Sequence, residues 1–278
     1  MKARAATTFI FTVFACLTSL YAKAQPSTQT PNFEVASVKR NNSADLRGFS
    51  WQFRRDGFTA HNLPLYIIVA TAYGIPMYSN RLSKGPNWIY SEKYDIEAKA
   101  ETPTSRNQTR AMLQALLTDR FKLVVRRETK EMPVYTAVAA ENGLKLTRST
   151  MDEKDCPEGA PNYGGSCHSV VGGIGRGIHG EAASILDILA FVENWSDRPL
   201  VDKTGINGLF KVQTDGWAPL NPRLLLPAVE PTAEDIAMAD PSRPTLFVIF
   251  ERMGIKLERQ RDLIETIFIE HIERPTEN

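Results

Sequence analysis

The sequence predicts an α+β protein of two related lobes, each with a small sheet and two helices, produced by an internal duplication. Three observations carry this prediction. The composition is that of a folded globular chain, with 42% hydrophobic and 23% charged residues in 278, which excludes a disordered tail, a coiled coil and a collagen-like chain. Short stretches of period 2 and period 3.6 follow one another along the chain, the signature of mixed strands and helices. A shift of 134 residues lays 112–138 over 246–272 without a gap, with Lys122-Leu123 on Lys256-Leu257, Phe121 on Ile255 and Arg127 on Arg261. Upstream the match is looser: 58–70 lies over 178–190, with Leu65 on Ile185, and 94–96 lies over 210–212.

Residues 1–24 read as a secretory signal peptide. Lys2 and Arg4 precede an uncharged apolar run at 7–21, and Ala22-Lys23-Ala24 fits a small-x-small cleavage site ahead of Gln25. The run is short of the ~20 apolar residues that span a bilayer. Cleavage removes Lys2, Arg4 and Lys23 and no acid, taking the net charge from +1 to −2. That balance argues against a dedicated nucleic-acid binder, and no later stretch reaches transmembrane length. A periplasmic or secreted product follows.

The N-terminal lobe is expected over 25–146. It opens with a strand at 33–38, a hairpin around Arg55-Asp56-Gly57 and a helix over 64–73 that Gly74 ends. A strand at 94–100 and a helix at 109–119 follow. Residues 121–127 and 134–139 then read as two paired strands. Residues 147–176, rich in Gly, Ser, Asp and Asn, read as a linker holding Cys156 and Cys167, which an oxidising compartment would join as a disulfide. The C-terminal lobe, 177–278, has a helix at 184–195, a strand at 208–214 and a Pro-rich insertion at 217–244. A helix at 245–253 follows, with Ser242 as its N-cap, and then a second strand pair at 255–259 and 264–272. Packing both lobes together predicts one body around their joined apolar faces.

Motifs that could carry chemistry are few. Asp202-Lys203-Thr204-Gly205 is similar to the phosphorylated aspartate loop of P-type ATPases, but that chemistry needs ATP, magnesium and membrane helices. The residues are expected to form a turn with Gly205 at positive φ. Gly175-Arg176-Gly177-Ile178-His179-Gly180 fits G-x-G-x-x-G without a preceding strand and is expected to be flexible linker. The histidines His61, His168, His179 and His271 lack metal-ligand spacing. His61 and His179 nearly correspond across the repeat, and a carboxylate beside either would point to acid/base work. Asp95 and Glu97 share a strand face. No nucleophile elbow is present, and no cofactor or metal is called for. The large rings Trp51, Tyr73, Trp88, Tyr90, Tyr94, Trp195 and Trp217 offer both core packing and platforms for an extended ligand. Trp88, Tyr94 and Trp217 are the candidate ligand-binding residues.

Three stretches carry a family resemblance. They are Phe33-Glu34-Val35-Ala36-Ser37-Val38-Lys39; Ala72-Tyr73-Gly74 with Gly85-Pro86-Asn87-Trp88 and Tyr94-Asp95-Ile96-Glu97-Ala98; and Val201-Asp202-Lys203-Thr204-Gly205 with Gly208, Phe210 and the ending Ile272-Glu273-Arg274-Pro275-Thr276-Glu277-Asn278. Together they resemble an uncharacterised, secreted, soil-associated family expanded in acidobacteria, a domain of unknown function. The resemblance implies export and two lobes, and it transfers no activity and no site residue. Over some thirty residues, 246–254 with Ile255-Lys256-Leu257 and Thr266-Ile267-Phe268-Ile269 is similar to the short N-terminal domain of secretins and TonB-dependent receptors, which implies an interaction module. The function expected is therefore a non-catalytic binding or interaction module of the cell envelope. Its partner would be an envelope protein, an extended peptide or a glycan, met at sheet edges or an inter-lobe groove. The alternative is an extracytoplasmic hydrolase using carboxylate or histidine chemistry.

Overall fold

The computed structural model describes residues 31–43, 48–77, 79–83, 85–156, 167–218, 240 and 242–275. The expected leader with its cleavage point at Ala24 and Gln25, the loop between the two cysteines and most of the Pro-rich insertion lie outside the described residues. The first half runs β1 (Val35–Asn41), β2 (Ser50–Arg54), β3 (Gly57–Pro64), α1 (Leu65–Ala72), β4 (Leu82–Ser83), α2 (Trp88–Ser91), β5 (Lys93–Lys99), α3 (Arg106–Phe121) and β6 (Val124–Ala139). The second half runs β7 (Thr147–Arg148), a 3-10 turn at Glu153–Asp155, β8 (Val171–Gly173), β9 (Gly177–Ala183), α4 (Ile185–Glu193), β10 (Leu200–Asp202), β11 (Phe210–Gln213), α5 (Leu246–Arg252) and β12 (Ile255–His271).

These elements make an α+β fold with three four-stranded sheets. One has the order β1-β5-β3-β2, one β7-β11-β9-β8, and the third β10-β6-β12-β4. In the third, β6 and β12 pair antiparallel along nearly their whole length, from Ile255 opposite Ala139 to His271 opposite Val124. The short β10 and β4 flank them in parallel. No helix among the described residues is long and apolar enough to cross a membrane.

Local chemistry explains where the helices begin. Ser105 caps α3 and Ser184 caps α4, each in a reciprocal box with the residue three positions on, Gln108 and Asp187. Helix α1 has no capping side chain, and its residues are nearly all buried, so packing rather than capping holds it. Thr245, not Ser242, caps α5, its hydroxyl accepting from the Val248 N–H. Thr245 is the last extended residue before helical backbone begins, and only from there can a hydroxyl reach a first-turn N–H.

The two expected strand pairs are instead two single strands of 16 and 17 residues. The charged runs at 126–131 and 258–262 suggest turns, yet they hold no Gly, Asn or Pro-Gly signal. In the middle of the ribbon both faces meet water, so charged side chains are accepted there. Cross-strand pairs line them up: Arg127 with Glu265 at 2.6 Å, Arg126 with Glu270 at 2.7 Å and Arg261 with Glu131 at 3.5 Å.

The apolar residues form two cores rather than one joined body. The first is built on α1, α3 and the first sheet, and takes in Ile267, Ile269 and Ile272 from the far end of the ribbon. The second is built on α4, α5 and the β9–β11 sheet, with Tyr135, Ala137, Ile255 and Leu257 from the near end. Between them the ribbon is exposed, with Leu263 at 67%. The segment 147–176, expected as a linker, supplies β7 and β8, the outer strands of the second lobe's sheet. Its glycine motif is not flexible chain: Gly175 and Arg176 lie in the tight turn from β8, and Gly177 to Gly180 belong to β9.

Candidate functional site

A cleft of about 370 Å³ opens between the lobes. From the first lobe it is lined by Trp51 and Phe53 of β2, the end of α1 with the following turn, and Arg106 and Arg110 of α3; from the second, by His168, Val170, Val171 and the face of α4 that carries Asp187, Ala190, Phe191 and Asn194, with Trp195 just beyond it.

The two arginines are its main chemical feature. Their guanidinium carbons lie 5.5 Å and 5.7 Å from the centre of the Phe53 ring. Among the described residues neither forms an ion pair, and Arg110 Nε is buried without a hydrogen-bond partner. Burial lowers the pKa of Arg110. Burial also lowers that of Arg106, aided by repulsion from Arg110 and opposed by Asp187. Helix α3 is fixed against α1 by the Gln114 amide, which donates to the Ala72 carbonyl at 2.8 Å. Gly74, just past α1 at φ 68, leaves room for Arg110: a Cβ there would sit 3.3 Å from its Nη1.

On the opposite wall His168 is held at both nitrogens, by Asp187 at 2.8 Å on Nδ1 and by Glu153 at 2.9 Å on Nε2. Burial depresses its pKa, but the two carboxylates outweigh burial and raise it. Asp187 also accepts from the Ser184 backbone and hydroxyl, so the box that starts α4 also orients the imidazole. The Cys156–Cys167 disulfide, with Cα atoms 5.6 Å apart, joins the chain just after Glu153 to the residue before His168.

One end of the cleft is clamped by a buried network across the lobes. Glu193, 2% exposed at the end of α4, accepts from Ser79 Oγ at 2.7 Å, Arg81 Nη2 at 2.7 Å and the Leu200 N–H at 2.9 Å. Asn194 Oδ1 accepts from the Met77 N–H at 2.7 Å. Burial raises the Glu193 pKa against the pull of Arg81 and these hydrogen bonds.

The three candidate rings are not brought together. Tyr94, 1% exposed, packs edge-on against Phe121 and donates to Glu92, and burial with that contact pushes its pKa up to about 12. Trp217, 0% exposed, lies in the other core against Trp195. Trp88 is half-buried in the first lobe with the Arg274 guanidinium 4.8 Å above its ring. His61 does meet a carboxylate, Asp95 at 3.1 Å, but on an open sheet face with the histidine 68% exposed. His179 bonds the Arg176 carbonyl. Asp202 accepts from the Thr204 N–H and hydroxyl, and Gly205 has φ 67, as a local turn requires.

Sequence reasoning passed over Arg106, Arg110 and the His168–Asp187 pair. A signal for the arginines was present: α3 has no acid in its first turn and begins with a cation, against the helix dipole. His168 gave none, because its partners lie 15 and 19 residues away.

A family model described as "Protein of unknown function (DUF3738)" matches residues 67–272. No curated protein and no solved structure matches the chain.

Proposed function

The chain belongs to the DUF3738 family of proteins of unknown function, and from that premise we propose that it is an exported, non-catalytic binding module that takes its ligand in the cleft between its lobes. The observation that carries this reading is the pair of arginines laid over Phe53 with no ion pair among the described residues, in a cleft walled by rings from both lobes. A half-buried cation without a direct ion pair costs stability, and a fold keeps such a group where a ligand completes it. Rings around a few convergent polar groups are the usual make-up of a ligand site.

Export rests on the leader at 1–24, with cleavage between Ala24 and Gln25, and on the disulfide, which suits the periplasm or the medium. The resemblances to a secreted acidobacterial family and to the N-terminal domain of secretins and TonB-dependent receptors fit an envelope setting. The duplication we propose places one copy in 25–146 and the other in 177–278 with the preceding strands. It is supported by the like order of elements in the halves and by matching sheet orders, β1-β5-β3-β2 beside β7-β11-β9-β8. The cleft is a better recognition surface than the ribbon's edges, where Arg126, Arg127, Lys130 and Glu131 oppose strand addition by charge.

The hydrolase alternative draws on the histidine–carboxylate contacts of His61, His168 and His271, the last with Glu273 at 2.7 Å. Neither His61 nor His271 lines the cleft between the lobes. His168 lines it, but both its nitrogens are occupied by carboxylates, which leaves neither free to take a substrate proton.

The test is expression of the full chain with its own leader, followed by native mass spectrometry of the periplasmic protein against metabolite, peptide and glycan libraries. A mature N-terminus at Gln25 and a ligand adduct of unchanged mass are expected. Consumption of a library member with release of products would overturn the non-catalytic reading, and retention in the cytoplasm would overturn export.

A further inference from the structure

Resting on that reading of the cleft, we propose that its ligand is a small organic anion with a flat apolar body. The anionic head lies between Arg106 and Arg110, and the body lies against Trp51, Phe191 and Trp195. Each guanidinium presents five N–H donors in a planar fork that matches the two oxygens of a carboxylate or the face of a phosphate. Among the described residues neither has an ion-pair partner and Arg110 Nε has no acceptor. Water replaces a missing acceptor poorly for a buried donor, so an anion that supplies one gains the whole of that hydrogen bond.

The setting strengthens the attraction. Arg106 is the first residue of α3 and Arg110 follows one turn later, so two full charges add to the positive end of a 16-residue helix. Phe53 lies under both and keeps the guanidiniums in place before a ligand arrives. Among the described residues the one carboxylate lining the cleft is Asp187, and it is already engaged by His168 and Ser184. An incoming anion therefore meets little repulsion.

The walls set the rest of the ligand. Beyond the arginines, Trp51, Phe191, Trp195 and the aliphatic side chains beside them form an apolar part of the lining, while the polar groups His168, Asp187 and Asn194 are already hydrogen-bonded within the chain, which favours an apolar body over a sugar's hydroxyls. A volume of about 370 Å³ suits a small molecule of one or two rings. Two arginines in a chain of near-neutral charge do not make the basic stripe that a polyanion needs.

Tryptophan fluorescence and thermal unfolding test this in titrations with benzoate and indole-3-acetate, their neutral amides benzamide and indole-3-acetamide, and inorganic sulfate. The acids should quench fluorescence and raise the melting temperature, and the amides should bind about tenfold or more weakly. Sulfate should bind more weakly than either aromatic acid. The variant Arg106→Gln/Arg110→Gln should lose the preference for acids yet melt close to wild type, since it removes two mutually repelling charges that have no ion pair among the described residues. Arg110→Lys keeps the charge without the fork and should fall between the two. Amides that bind as tightly as the acids, or acid binding that survives the double substitution, would overturn the anion assignment. Sulfate binding as tight as that of indole-3-acetate would overturn the apolar body. If only neutral probes bind and Phe191→Ala abolishes them, the anion class falls while the cleft stands. If no probe, charged or neutral, changes either signal, both fall.

Discussion

Helices α3 and α4 face the cleft from opposite lobes, and both start with a serine in a reciprocal capping box. The first turn of α4 carries Asp187, which agrees with the helix dipole and also orients His168. The first turn of α3 carries no acid and opens with Arg106, which disagrees with it. Two helix starts with the same cap and opposite charge teach where this molecule departs from local preference. At the cleft the first-turn charge of α4 is paired with His168, while Arg106 and Arg110 of α3 have no ion pair among the described residues, and it is there that we propose a ligand.

Substitutions can break the comparison in order of size. The largest effect is expected at the far end of α4, where Glu193→Ala leaves Arg81 without its 2.7 Å partner in the inter-lobe clamp. Loss of one member of a buried pair costs about 3–5 kcal/mol, read by chemical denaturation. Next, Cys156→Ser/Cys167→Ser opens the disulfide beside the His168 network and should cost about 2–3 kcal/mol by the same measurement. Ser184→Ala removes a cap and a ligand of Asp187 together and should cost about 1 kcal/mol, with Ser105→Ala costing no more.

The smallest effect sharpens the electrostatic side of the comparison. The folded pKa of His168 lies above its ordinary 6.5. Its contribution to stability is therefore fully present below about pH 6.5 and lost as pH rises through the folded value. With its side chain 34% exposed, screening keeps that contribution under about 1 kcal/mol. The melting temperatures of wild type and His168→Gln, compared from acid to mildly alkaline pH, should converge at the alkaline end.

Much of the scaffold was legible in the sequence because its signals are local. The turn at Asp56-Gly57, the Ser184 start of α4, the Asp202 turn and the cysteine pair each need only a few neighbouring residues. The continuity of β6 and β12 was not legible. Whether a charged run is a turn or the solvated middle of a long strand depends on a partner more than a hundred residues away, as with Arg127 and Glu265. The choice among rings failed for a related reason. Tyr94 and Trp217 look the same in sequence as Trp51 and Trp195, and only packing puts the first pair in the cores and the second on a cleft. The cleft draws on 51–53, 106–110, 168–171 and 187–195, so no single stretch could reveal it.

Side-chain nitrogen-15 spectra of arginine put the question to Arg106 and Arg110 themselves. On titration with indole-3-acetate, their Nε–H signals should shift together, slow in exchange with water and saturate with the tryptophan quench, while the Arg127 and Arg261 signals on the ribbon stay in place. Saturable quenching with the Arg106 and Arg110 signals unmoved would contradict the account.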